Sequence, residues 1–242
     1  MPMSTIPFLF AAQIAFLIVS ARNAASLKAS SAAFFLIAAF CLWGAASANL
    51  AWAGIYETEW FLKLLPGLWL PAIPFLVASL VLLLPVVRTG LVRIADTVPA
   101  HWLVGIQTLR IAALGTLIKT IQGDFPVAVE IAIGLNDLLY GFSALWLFLQ
   151  VRRNAISPDA LVIWHLVGVL IILVPGGLAI QSGLPGTLQV FKDHPTSEVM
   201  FDWPMVMAPS LVVPAFLLLN IFAAFAALRA RHSKTLRKDT LS

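Results

Sequence analysis

Arg110 and Asp137 are the side chains best placed to do chemistry in this chain, because both are ionisable and both stand deep inside long apolar runs. Arg110 precedes the turn Gly123-Asp124-Phe125-Pro126 by about as many residues as Asp137 follows it. In an antiparallel helical hairpin the two therefore sit at one depth, near mid-bilayer. A lone charge there costs at least about 2.5–3.5 kcal/mol on insertion scales. That cost favours a pair facing the bundle interior. Gln107, one turn before Arg110, and Asn136, beside Asp137, are placed to complete a hydrogen-bond network, since a guanidinium has five donors to satisfy. Such a pair either locks two helices in register or lines a solute, proton or headgroup site. The sequence leaves both readings open.

Lys119 and Glu130 also match in depth, nearer the turn. Arg110 and Lys119, nine residues apart, point to roughly opposite faces of a straight helix, whereas Glu130 and Asp137 share one. Both pairs cannot form across one straight interface, so Arg110–Asp137 is favoured and Lys119 is expected to snorkel outward. His101 and His165 are the next candidates. Two histidines from different helices could ligate a haem or exchange protons; the plainer reading is a hydrogen-bonded interfacial residue. Gln13 is expected near Asn49, and Asn220 near His165, as packing hydrogen bonds. No metal motif such as His-Glu-x-x-His, Walker loop, dinucleotide fingerprint or nucleophile elbow is present. Ser143 and Ser210 have no evident base, the last span lacks a lysine for a retinal Schiff base, and Cys41 reads as packing.

The elements that must hold these groups follow from composition. The chain has 242 residues, 61% hydrophobic and 11% charged, with a mean hydropathy of +0.96. A soluble domain is about 25% charged. The apolar runs are continuous rather than alternating, which excludes a membrane β-barrel. A span needs about 20 apolar residues. Seven such runs are expected, at 6–20, 31–52, 64–87, 102–121, 127–151, 160–180 and 205–228, giving one all-α seven-helix transmembrane domain followed by a basic tail, 229–242. Pro71, Pro74, Pro175, Pro209 and Pro214 bend or open their helices, and Val174-Pro175-Gly176-Gly177 is the expected broken helix.

Charge sets the orientation. Arg22, Lys28, Arg88, Arg93, Arg152, Arg153, Arg229, Arg231, Lys234, Arg237 and Lys238 fall on one side, and only Lys63 and Lys192 on the other. Glu57, Glu59, Asp124, Asp193, Glu198 and Asp202 show the reverse bias. The positive-inside rule then places the N-terminus outside and the C-terminus in the cytoplasm. The sequence pI near 9.6 is an orientation signal and a contact for anionic lipid, not a sign of nucleic-acid binding. Trp52, Trp60, Trp69 and Trp203, then Trp102 and Trp146, form the two aromatic belts expected of a multi-pass protein.

The stretches His101-Trp-Leu-Val-Gly-Ile-Gln-x-x-Arg110 and Gly134-x-Asn136-Asp137-x-x-x-Gly141 resemble a group of small bacterial integral membrane proteins without an assigned activity. Trp164-His165-Leu-Val-Gly168 and Trp203-Pro-x-x-x-x-Pro209-x-x-x-Val213-Pro214 resemble the same group. The likeness implies a multi-pass protein of the bacterial inner membrane and supplies no reaction. The chain departs from it at Asn136, where a glycine is expected, and at His165, where an asparagine is.

Three functions are compatible with these residues. The first is binding or transport of a small polar or anionic solute, or of a proton, with Arg110, Asp137, Gln107, Asn136 and Glu130 at the site. The second is a membrane-embedded redox or lipid- or quinone-modifying enzyme using His101, His165 and Glu130. The third is an accessory subunit whose partner is another membrane protein.

Overall fold

The computed structural model describes residues 4–239, and only the backbone of 233–239, so the tail's Lys234, Arg237 and Lys238 lie outside the described side chains. Among the described residues the fold is all-helical. The long elements are α1 (Ile6–Asn23), α2 (Leu27–Trp52), α3 (Pro66–Val81), α4 (Pro85–Thr97), α5 (Ala100–Gln122), α6 (Val127–Arg152), α7 (Pro158–Ser182) and α8 (Ala208–His232, its helix running on to Asp239). Six of these are long and apolar enough to cross a membrane, and α3 with α4 make a seventh crossing if counted as one bent span. At about 1.5 Å rise per residue, the 26 residues of α2 exceed the roughly 30 Å of a hydrocarbon core.

The expected third span, 64–87, is not one straight helix. It bends by 102° between α3 and α4. The cause is local: Pro85 opens α4, and the residue before a proline is driven out of the helical region, so Leu84 is extended at ψ 119°. Val87, Gly90 and Ile94 of α4 are buried, while Arg88 and Arg93 are exposed. A Cβ on Gly90 would collide with the carbonyl of Lys28 and with Ala32, so glycine is what lets α4 lie against α2. Pro175 corrects the other expectation. α7 continues through it, because neighbouring helices hold the turn despite one missing amide donor.

Hydrogen bonds and packing fix which loops share an end. Asn23 Nδ2 donates to the carbonyl of Thr97 at 3.0 Å, Arg229 pairs with Asp96 at 2.6 Å, and Arg231 with Asp159 at 2.8 Å. These contacts gather the basic loops at one end of the bundle. At the opposite, acidic end, Tyr56, Phe61, Phe125, Leu184 and Phe201 form one apolar cluster. Beneath it runs a chain of hydroxyls. Ser47 donates to Ser210 at 2.9 Å and Ser210 to the carbonyl of Val206 at 2.7 Å, so Tyr56 is the donor in its 3.0 Å bond to Ser47.

Candidate functional site

The site begins with the α5–α6 hairpin. Gly123 ends α5 at φ 83°, a left-handed conformation that suits glycine, and the amide of Asp124 closes the turn on the carbonyl of Lys119 at 2.8 Å. Pro126 then starts α6 in the reverse direction. This fold-back brings Arg110 Nε to Asp137 Oδ1 at 2.5 Å, with 3% of the arginine and 9% of the aspartate exposed. Nη1 donates to the carbonyl of Gly168 on α7 at 3.3 Å. The guanidinium carbon lies 4.4 Å from the centre of the Tyr140 ring, a cation–π contact within protein rather than water. Nη2 is buried and makes no hydrogen bond among the described residues.

A second layer supports Tyr140. Its ring stacks on Trp164 at 4.3 Å and 14°. Its hydroxyl lies 3.0 Å from Asn220 Oδ1 and 3.2 Å from the carbonyl of Trp164, and its one proton serves one of them at a time. His165 Nδ1 lies 2.8 Å from the same Asn220 Oδ1. That oxygen only accepts, so Nδ1 carries the ring proton. α6, α7 and α8 are thereby tied together behind the ion pair.

In front of the pair is a cavity of about 120 Å³, lined by α1, α3, α5, α6, α7 and α8. Its walls are mostly apolar; Arg110 and Asp137 are its ionisable groups. Three of its helices leave α geometry where they pass it. α5 is 3₁₀ over Ile106–Ala113, α6 is π-helical over Glu130–Gly134, and α8 is π-helical over Ala208–Val212. A 3₁₀ run of eight residues is uncommon, and π turns recur at functional sites because they redirect side chains and backbone groups. Arg110, Gly134 and Pro209 from these three stretches all line the cavity.

The other sequence candidates are placed as follows. Gln107 is fully buried, but its amide makes no hydrogen bond among the described residues and does not complete the Arg110 network. Asn136 turns back to the carbonyl of Ala132 at 3.0 Å, because one residue along a helix is about 100° around it. Glu130 is buried and Lys119 exposed, and no ion pair joins them. His101 packs its ring edge-on to Phe148 at 5.7 Å, whereas His165 is held by Asn220. Gln13 donates to the carbonyl of Val212 and Asn49 to that of Ala45, so those two do not meet. Sequence reasoning missed Tyr140 and Gly168. The available signal was spacing: Tyr140 follows Asp137 by three residues and so shares its helix face.

The acidic end carries its own electrostatics. Partial dehydration by the packed loop raises the Asp202 carboxyl above its usual range, and the neighbouring Glu57 and Glu198 carboxylates raise it further. An acid whose folded pKa is raised binds its proton more tightly folded than unfolded. Its contribution is therefore full below the unfolded value and is lost as pH rises through the folded one. We expect the loop's stability to fall as pH rises just above the ordinary carboxylate range. Asp202→Asn should flatten that slope in limited proteolysis followed against pH.

Comparison with curated proteins and with solved structures finds no match. A family model does match, over residues 64–229, which takes in the bent α3–α4 pair, the α5–α6 hairpin and the helices behind it. The chain belongs to the family of the domain of unknown function DUF8737.

Proposed function

We propose that this protein binds or transports a small amphiphilic solute, with the solute's anionic or polar head at Arg110 and its apolar body along the cavity wall. The observation that carries the reading is the buried Arg110, which with Asp137 lines a mostly apolar cavity and whose Nη2 has no hydrogen-bond partner among the described residues. A pocket with apolar walls and a few convergent polar groups is the usual form of a small-molecule site. Asp137 neutralises the arginine when no anion is bound. The same reading puts the chain in the bacterial inner membrane with seven spans, N-terminus outside and C-terminus in the cytoplasm, on the strength of the basic loops gathered at one end.

The test is a thermal-shift titration in mild detergent with medium-chain alkyl carboxylates and alkyl phosphates. Asp137→Asn leaves Arg110 short of a counter-charge, so it should bind these anions about tenfold more tightly, about 1.4 kcal/mol. Arg110→Gln should lose the response. Equal responses from wild type and both variants would remove the site from the account.

A further inference from the structure

We infer that Glu130 is a proton-binding site, exchanging one proton with water at the acidic end of the bundle. The inference rests on the chain's lying in a membrane and not on the solute reading above.

Glu130 is 2% exposed, and neither of its carboxylate oxygens makes a hydrogen bond among the described residues. It opens the π turn of α6, and its carboxyl folds back against Gly134 four residues on, where a Cβ would overlap it. The glycine thus supplies the seat. The groups around it do not neutralise a negative charge. On α5, Thr116 lies beside the carboxyl, but its hydroxyl donates to the carbonyl of Ala113 at 2.8 Å, and Lys119 is exposed and unpaired with it. Asp124 in the turn and Asp137 further along α6 would only repel a carboxylate, and Asp137 is already matched by Arg110. From Leu166 to Ser182, α7 has no ionisable residue, and neither does Val127–Val129.

A buried carboxylate with no cation, and with one hydroxyl beside it that is committed to a backbone carbonyl, is strongly disfavoured, and such a group takes up a proton instead. The step is a simple exchange. The carboxylate gains a proton from water at the acidic end, becomes a neutral acid, and returns the proton by the same route. Glu130 lies close to the α5–α6 turn, which makes the route short. The charge it carries when deprotonated is of the same sign as Asp137's, so loss of its proton would bias how the Arg110 pair is held.

Infrared spectra of the purified wild-type protein, recorded across a pH titration, test this directly. The expected result is a protonated-carboxyl C=O band that persists at neutral pH and disappears in Glu130→Gln. Glutamine mimics the neutral acid, so that variant should keep the wild-type thermal stability. As a measurement that needs no variant, the wild-type protein is treated with dicyclohexylcarbodiimide, an apolar reagent for protonated carboxyls, and its peptides are mapped by mass. An adduct on Glu130 that declines as pH rises supports the assignment. A carboxyl band untouched by Glu130→Gln, or no adduct on Glu130 at any pH, overturns it. Neither readout depends on solute binding, so the two proposals fail separately.

Discussion

Asp137→Leu destabilises the folded protein by about 3–5 kcal/mol, because it leaves Arg110 buried at 3% exposure with no counter-charge. Arg110→Met costs less. The stranded carboxyl of Asp137 can be neutralised by a proton, whereas a guanidinium cannot shed one. The double substitution Arg110→Met with Asp137→Leu recovers most of the loss, since well-packed apolar residues often replace a buried pair at little cost. Equilibrium unfolding in mixed micelles measures all three. An additive double variant would mean that the two side chains do not act as a pair.

The second large effect is at Gly168. A Cβ added there would overlap the phenol of Tyr140, which is pinned between Trp164, Asn220 and the guanidinium of Arg110. The ring cannot retreat without leaving Arg110, so Gly168→Ala should cost about 1–3 kcal/mol by overpacking. Gly115→Ala is the matched control. Nothing lies within 4 Å of a Cβ at Gly115, and alanine is the better helix former, so that change should be neutral or slightly stabilising. Equal effects from the two alanines would show that Tyr140 is not held as described.

The contrast between what the sequence conveyed and what it hid has physical causes. The Arg110–Asp137 contact was legible because a tight turn between two long apolar runs converts residue count into depth, and depth decides which groups can meet. Azimuth was not legible. Asn136 adjoins Asp137 in sequence yet faces its own helix, and the predicted Gln107 bond is missing although Gln107 is buried. The 3₁₀ winding of Ile106–Ala113 advances about 120° per residue instead of 100°, so helical-wheel arithmetic drifts through that stretch. The bend between α3 and α4 follows from Pro85, which hydropathy alone passes over because Leu82, Leu83 and Leu84 keep the run apolar. Among the prolines, Pro175 was expected to break α7, which holds, whereas Pro85, which makes the α3–α4 elbow, drew no expectation. The Tyr56–Ser47–Ser210 hydroxyl chain joins Ser47 to a residue nine positions on and to another 163 positions on, and leaves no periodic trace.

The claim that Arg110 serves a ligand, and not only the fold, is tested most directly by native mass spectrometry of the gently purified protein. The comparison is between wild type and the Arg110→Met, Asp137→Leu double variant, which keeps the bundle but removes the polar end of the cavity. The account predicts a discrete one-to-one adduct of a small amphiphile on the wild type that is absent from the folded double variant. Identical mass profiles, with only exchangeable bulk lipid on both, would contradict it and leave the pair as a purely architectural link between α5 and α6.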